Sequence, residues 1–321
     1  ALGIGSIVLG LTLQNSVGQV ISGLLVLFEQ PFQTGDWVAT RWIDGGRVVE
    51  VNWRATHLDS GNGVYVLPNS LLATELFINR SLPRGEHSID IVTRFSAADP
   101  PDAVCRMLTD VARRLPQLRS GAEATTHTGA TGEYTTTVPL HTPADDAEAR
   151  STFLRWIWYA ARRDELSLDE VVDDFPTPLL FEEALRVVGR SLHLSRTDQD
   201  LLREHLRVVR YGAGEIVQEH GTVPARMMFV ISGQVRLEAW AGNAVVGIRT
   251  LERGDFLGQT ALTRERVRAD ARALEELTVA WIDRESMEAL VLRRPLLMQE
   301  IGRVIEERRA SMRRLAPHAG G

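Results

Sequence analysis

The first 28 residues of the chain contain no charged side chain. Two apolar stretches, 1–13 and 17–28, are separated by a polar segment that begins with Gln14 and Asn15. About 20 apolar residues are needed to cross the ~30 Å hydrocarbon core of a bilayer. The pattern therefore predicts a membrane helix over 1–29, and we expect the chain to begin inside that helix.

Two other interpretations of this segment are open. A signal peptide would carry a basic start and a small-residue cleavage site, and neither is visible. A buried helix of a soluble domain would be weakened by so much glycine unless other elements packed against it. In a membrane helix, Ile7 and Leu11 lie four residues apart and share one face. A ring of such helices would form an apolar constriction there, and constrictions of this kind close pores by dewetting.

Beyond residue 29 the hydrophobic pattern changes to that of separate folded domains. Pro31 and Gly35 end the helix. Short β-branched runs divided by glycine turns then predict a small, twisted β domain over 30–80. From 81 to 170, strand and helix patterns alternate, which predicts an α/β domain.

The last third of the chain predicts a further domain behind a linker. Two prolines and two acidic residues predict the linker over 171–188. Evenly spaced short strands and glycine turns predict a β-roll, or jelly roll, over 189–290. A C-terminal helix and tail follow over 291–321. The predicted fold class is thus a multidomain membrane protein with a pore-lining helix, an all-β domain, an α/β domain and a β-roll with flanking helices.

Composition narrows the class of protein. The 321 residues suit two or three domains, and 36 basic against 42 acidic residues give a net charge of -6, which argues against a nucleic-acid partner. Cys105 is the single cysteine, and we expect it to be a small core residue. The eight histidines show no metal-ligand spacing, and no nucleophile or phosphate-loop motif occurs. We therefore expect no enzymatic activity, no metal and no cofactor.

Several motifs in the first half carry a family resemblance. They are Pro31-Phe32, the segment 35–38, Trp53-Arg54-Ala55-Thr56, Pro68-Asn69-Ser70 and Asn79. With them, residues 1 to about 170 resemble the MscS family of small-conductance mechanosensitive channels. The resemblance implies a homo-heptamer in the lipid bilayer of the inner (plasma) membrane. Everything after residue 29 would lie in the cytoplasm, where the β domain and the α/β domain would form a cage.

The same resemblance implies roles for residues of the first helix. Ile7 and Leu11 fall on the two apolar rings that form the pore gate. Gln14 and Asn15 fall at the helix kink, where Asn15 replaces the usual glycine. Because asparagine tolerates unusual backbone angles less freely than glycine, this hinge is expected to be stiffer.

A second resemblance covers about 100 residues near the C-terminus. Tyr211-Gly212, Gly214-Glu215, Gly221, the segment 228–235 and the segment 254–258 resemble the cyclic nucleotide-binding domain of the catabolite activator protein, kinase regulatory subunits and cyclic-nucleotide-gated channels. The resemblance implies cAMP or cGMP as ligand, held by a cassette that captures an anion with backbone N–H groups and a guanidinium. The cassette residues are Phe256, Leu257, Gly258, Gln259, Thr260, Ala261, Arg268 and Ala269.

This cassette departs from the family pattern in two ways. Gln259 stands where a glutamate usually accepts from the ribose hydroxyl, and its neutral amide accepts more weakly. The segment is also one residue short. Counting forward from Gln259 puts Arg268 at the phosphate, whereas counting back from Arg272 puts Val267 there. We favour Arg268, because a valine would leave the anion unpaired. The alternative is a retained fold that no longer binds nucleotide.

Three further groups of side chains need an interpretation. Trp156, Trp158 and Tyr159 follow one another along a predicted helix, and we expect core or subunit contacts from them rather than an exposed binding stripe. Asp145, Asp146 and Glu148 are expected to stabilise the start of that helix. On the C-terminal helix, an apolar set either covers a bound purine or packs on its own roll. That set is Leu292, Leu296, Leu297 and Ile301.

Three functions fit these patterns. The first is a membrane channel that a cyclic nucleotide modulates. The second is a tension-gated channel whose roll is a non-binding assembly module. The third is a soluble nucleotide-binding signalling protein with a hydrophobic dimerisation helix, which leaves the β domain and its Pro68-Asn69-Ser70 motif unexplained.

Overall fold

A computed structural model describes residues 20–21, 23–83, 85–130, 132–168, 173–241, 244–299, 301–303 and 305–306. The predicted gate residues Ile7 and Leu11 and the predicted kink residues Gln14 and Asn15 lie outside these ranges. Among the helices within them, none combines the length and the apolar character that crossing a bilayer requires. The chain divides into two compact units. The first holds the residues up to Ile91 with Pro116–Thr125 and Thr136–Arg150, and the second holds the remainder.

The first unit contains the predicted β domain. After helical residues 23–29 (α1), five antiparallel strands form a sheet in the order β4-β3-β2-β1-β5. Its elements are β1 Trp37–Thr40, β2 Ile43–Val51, β3 Ala55–Asp59, β4 Val64–Pro68, α2 Asn69–Leu72 and β5 Phe77–Asn79. Val38, Val48 and Leu58 build its core together with Val26 of α1. A small all-β domain is therefore confirmed at this position.

Close approach of two strands explains one glycine of this domain. Gly46 of β2 lies so near β3 that an added Cβ would sit 2.9 Å from the Leu58 Cβ and 3.3 Å from the Asp59 carbonyl oxygen. A side chain at position 46 would push the two strands apart. The segment Asp44-Gly45-Gly46 lies within β2 and not in a turn.

The predicted α/β elements follow in the expected alternation. They are β6 Ser88–Arg94, α3 Pro101–Arg113, β7 Thr125–Thr128, β8 Glu133–Pro139 and α4 Asp146–Arg163, with the three strands in the order β6-β8-β7. Helix α3 buries Val104, Leu108 and Val111 on one face, and Cys105 beside them is half-buried. Asp146 and Glu148 lie in the first turn of α4, as expected for acids at a helix start.

The second unit contains a β-roll. Its two four-stranded sheets have the orders β10-β15-β12-β13 and β14-β11-β16-β9. Their strands are β9 Leu206–Tyr211, β10 Ile216–Gln218, β11 Arg226–Ser232, β12 Val235–Ala241, β13 Ala244–Leu251, β14 Phe256–Leu257, β15 Asp270–Ala273 and β16 Leu277–Asp283. Val230, Leu257 and Val279 belong to the apolar cluster between the two sheets. The predicted β-roll is confirmed.

Helices pack on the outside of the roll. They are α5 Pro178–Ser191, α6 Arg196–Leu202, α7 Thr260–Thr263, α8 Arg284–Arg293 and helical residues 296–299, 301–303 and 305–306 (α9). Leu297 and Ile301 are buried in this helical cluster, whereas Leu292 and Leu296 are exposed. Leu297 and Ile301 therefore pack on their own roll, which is one of the two interpretations of that apolar set.

Helix α5 begins inside the segment predicted as a linker. Pro178 occupies its first turn, and the Thr177 hydroxyl accepts a hydrogen bond from the Leu180 N–H. The prolines suggested a break, but proline at the first helical position costs no hydrogen bond and favours helix initiation. The predicted linker over 171–188 is therefore too long, because α5 already begins at Pro178.

Candidate functional site

The predicted cassette begins with the edge strand β14, which pairs with β11 of the same sheet. In β14, Phe256 pairs with Phe229 and Leu257 pairs with Met228 of β11. Gly258 comes next with φ +75°, and an added Cβ would collide with the Arg226 carbonyl oxygen. Only glycine combines this left-handed backbone with so close an approach. The turn of the predicted cassette is therefore fixed by the packing of its own backbone.

The short helix α7 completes the turn. The Ala261 N–H donates to the Gly258 carbonyl at 2.9 Å, and Arg264 ends the helix in the left-handed region with φ +55°. Thr260 is buried, and its hydroxyl has no hydrogen-bond partner among the described residues. The structure thus brings six of the predicted residues together, and this group includes an unused buried hydroxyl. The six residues are Phe256, Leu257, Gly258, Gln259, Thr260 and Ala261.

The two candidates for the phosphate position differ in their surroundings. Val267 is 7% exposed, and its backbone donates to the Thr222 carbonyl and accepts from the Gly221 N–H, both at 2.9 Å. Arg268 is exposed and makes no hydrogen bond or ion pair within the described parts of the chain. Ala269, the last predicted residue, is buried. Of the two side chains, the valine is therefore the buried one, and the Arg268 guanidinium has no partner among the residues that the structure describes.

A buried ion pair that the sequence did not predict lies on the same roll. Glu215 follows Gly214 in the turn after β9, and its carboxylate pairs with the Arg163 guanidinium at the end of α4. Burial raises the pKa of the Tyr211 phenol beside this pair. The Gly214-Glu215 motif gave a hint, because a buried glutamate requires a cation. Nothing in the sequence indicated that the cation would come from α4.

The Pro68-Asn69-Ser70 motif of the β domain also acquires a physical explanation. The Asn69 side chain is fully buried; it accepts from the Thr56 hydroxyl at 2.8 Å and donates to the Asn52 carbonyl at 2.8 Å. Its amide also lies 3.4 Å from the Gly23 carbonyl of α1. The side-chain amide of Asn69 therefore connects α1, the β2–β3 connection and β3 through its hydrogen bonds.

The Asn79 motif residue plays a similar part at the other edge of the sheet. Its side-chain amide donates to the Asp36 carboxylate at 3.0 Å and to the Pro31 carbonyl at 3.3 Å. Its side-chain oxygen accepts from the Ser81 N–H at 3.0 Å. The segment that follows α1 is thus fastened to β5 through two motif residues, Asn79 and Asp36.

Family comparisons agree with this geometry. Residues 15–82 match the family "Mechanosensitive ion channel, beta-domain", and residues 208–294 match the family "Cyclic nucleotide-binding domain". The chain therefore carries the β-domain of MscS-type mechanosensitive channels together with a cyclic nucleotide-binding domain.

Individual relatives share only part of the chain. The miniconductance mechanosensitive channel MscM of Escherichia coli is 39% identical over 114 residues, which are 35% of this chain and 9% of the relative. The large-conductance mechanosensitive channel MscMJLR of Methanocaldococcus jannaschii is 36% identical over 80 residues, which are 24% of this chain and 22% of the relative. The chain thus spans well under a third of each of these relatives.

Solved structures of both kinds are similar to parts of the chain. The closed-state MscS of Helicobacter pylori covers 54% of this chain and is itself covered to 70%, with 20% identity and a TM-score of 0.45. The structure described as Sp-2Cl-cAMPS bound to PKAR CBD2 covers 44% of this chain and is itself covered to 94%, with 20% identity and a TM-score of 0.37.

Proposed function

We propose that the protein is a subunit of an MscS-type membrane ion channel that a cyclic nucleotide modulates. The observation that carries this proposal is the presence of a mechanosensitive-channel β-domain and a cyclic nucleotide-binding domain in one chain. Identical subunits, seven by resemblance to the family, would surround the pore, with Ile7 and Leu11 as its apolar gate. The subunit would reside in the inner membrane with the domains after residue 29 in the cytoplasm.

The proposed ligand is cAMP or cGMP at the cassette. Three features support it: the rigid turn at Gly258, the buried hydroxyl of Thr260 and the exposed guanidinium of Arg268, and the last two have no partner in the described part of the chain. A phosphate would give both polar groups a partner, since an anion accepts from hydroxyls and from guanidinium groups. The role we propose for the site is sensing rather than catalysis.

The sensor can bias the pore only through a difference in affinity between the closed and open states. A tenfold difference corresponds to about 1.4 kcal/mol per site. If seven equal sites act together, their contributions add, so a modest preference at each cassette would shift the gating equilibrium strongly.

A tension-gated channel with a non-binding roll is the second candidate. The buried Val267 and the exposed Arg268 favour it, because an anion facing the inner position would meet a valine. Gln259 in place of glutamate points the same way.

Patch recording with membrane tension and nucleotide varied independently separates the two candidates. Modulation predicts that cAMP or cGMP shifts the tension at which the channel opens, or opens it without tension. A response to tension with no nucleotide effect, together with no binding heat at millimolar nucleotide, would leave the second candidate. Light scattering of the detergent-solubilised protein tests the seven-fold assembly, because a dimer would contradict both candidates.

A further inference from the structure

The second half of helix α4 contacts the roll at two turns. The Trp156 indole N–H donates to the Ala213 carbonyl at 3.0 Å, and the Tyr159 hydroxyl donates to the Glu276 carboxylate at 2.7 Å. Gly212 lies so close to the Tyr159 ring that an added Cβ would sit 2.7 Å from its Cε2 atom. The turn after β9 is therefore shaped to receive the aromatic side chains of α4.

The ion pair between Arg163 and Glu215 locks this contact. The Arg163 and Glu215 side chains are 9% and 3% exposed. Both terminal nitrogens of the guanidinium donate to the carboxylate, and the bond from Nη1 to Oε2 is 3.2 Å long. Arg163 also donates to the Arg210 carbonyl at 2.8 Å and stacks 4.1 Å from the Tyr211 ring centre. Glu215 accepts in addition from the Gly212 N–H at 2.8 Å. Removing either partner would strand a buried charge, so the end of α4 and this turn behave as one body.

The same turn is joined to the strand that leaves the cassette. The Gly214 N–H donates to the Ala273 carbonyl at 2.8 Å, and the Ala273 N–H donates to the Glu215 carbonyl at 2.9 Å. Arg272 donates to the Gly214 carbonyl at 2.8 Å. These partners lie at the end of β15, which begins directly after Ala269, the last cassette residue. One four-residue strand thus separates the cassette from the turn that α4 holds.

We propose that the Arg163–Glu215 pair and its aromatic neighbours form a joint that transmits the state of the cassette to α4. A ligand that repositions Arg268 and Ala269 pulls on β15, and β15 moves the turn that Arg163 grips. Arg163 is a positioning residue in this scheme and touches no ligand. The inference rests on the proposed modulation by nucleotide and specifies how the signal leaves the sensor.

The test compares binding and gating in the same preparations of the full-length channel. Glu215→Gln keeps the shape and an acceptor for the Gly212 N–H but removes the charge. The matched control is Arg207→Ala, which breaks the exposed Arg207–Glu165 pair, 2.6 Å long, between the segment after α4 and β9. Calorimetry with cAMP and cGMP measures the affinity, and patch recording measures the nucleotide-induced shift in the tension threshold.

We expect Glu215→Gln to bind nucleotide as the natural protein does and to lose most of the threshold shift, whereas Arg207→Ala retains both. Exchanging the charges, Arg163→Glu with Glu215→Arg, should restore part of the shift. A full threshold shift in Glu215→Gln would overturn the joint but leave nucleotide modulation intact. If the natural protein binds nucleotide without any shift in the tension threshold, both the nucleotide modulation and the joint are refuted.

A second pair of variants keeps the test decisive if Glu215→Gln does not fold. Tyr159→Phe and Trp156→Phe each delete one hydrogen bond to the roll and keep an aromatic ring in place. Each should reduce the threshold shift with unchanged affinity. An unchanged shift in the folded double variant would overturn the proposal.

Discussion

Replacing Asn69 by alanine tests the explanation of the most specific motif in the β domain. The substitution removes the acceptor of the Thr56 hydroxyl and the donor to the Asn52 carbonyl, both at 2.8 Å. Thr56 and Asn69 are fully buried, so water cannot replace the lost partners without entering the core. A stranded buried group costs about 1–3 kcal/mol, so the buried Thr56 hydroxyl and the half-buried Asn52 carbonyl together give about 3 kcal/mol for the variant.

Amide hydrogen exchange in β3 and β4 measures this loss where it occurs. Since 1.4 kcal/mol corresponds to tenfold, the loss predicts exchange about a hundredfold faster in these strands of Asn69→Ala. The matched control is Asn62→Ala, at an exposed position, which should change the local stability by less than about 0.5 kcal/mol.

A double-mutant cycle shows whether the hydrogen bonds are responsible. Thr56→Val should destabilise the natural protein, because it leaves the side-chain oxygen of Asn69 without its donor. In the Asn69→Ala background the same change should cost little, since it then removes a hydroxyl that already lacks its partner. An equal cost in both backgrounds would refute the account of the motif.

Three further predictions concern the second unit. Gly258→Ala should destabilise the roll by more than about 2 kcal/mol in thermal unfolding, because it adds a clash with the Arg226 carbonyl to the cost of a positive φ. Gly221→Ala, also at positive φ but with open space around it, should cost only about 1 kcal/mol, and equal losses would contradict the clash. Burial and the hydrogen bond to Glu276 raise the pKa of Tyr159 to about 12 from 10.0. The folded state then keeps a proton that the unfolded state loses, so stability should fall as the pH rises from about 10 to about 12. The stability of the Tyr159→Phe variant should fall less over this range. Its phenolate absorbance should show one fewer tyrosine with a raised pKa. Burial raises the pKa of Cys105, so its reaction with a thiol reagent at pH 8 should be slower than that of a free thiol and should accelerate on unfolding.

Local patterns predicted the elements of both sheet domains well. Glycine turns and β-branched runs act within a few residues, so their effect on strands and turns is visible in the sequence. The β domain and the roll are confirmed for this reason. The start of α5 at Pro178 was hidden, because proline both ends and begins helices and only the Thr177 cap distinguishes the two cases.

The cassette was predictable as a segment but not in its side-chain arrangement. Motif spacing predicted a cassette at 256–261, and the structure places these residues in one strand and the turn and short helix that follow it. Counting along the sequence gave two positions for the phosphate and did not decide which side chain would be exposed. That depends on how the backbone of Val267 pairs with Gly221 and Thr222, which are more than 40 residues away. Pairing between distant segments fixes the outward direction of Arg268.

The sequence by itself determined the order of the domains, the strand-rich character of two of them and the chemistry of their motifs, because turn residues and hydrophobic alternation act locally. Only the tertiary structure decided which buried polar groups become hydrogen-bond or ion-pair partners. Glu215 finds Arg163 on a helix 52 residues earlier in the chain, and Asn69 finds Thr56 across a strand pair. Such partners are selected by packing, since a buried polar group must be satisfied wherever the fold brings a donor or acceptor within reach.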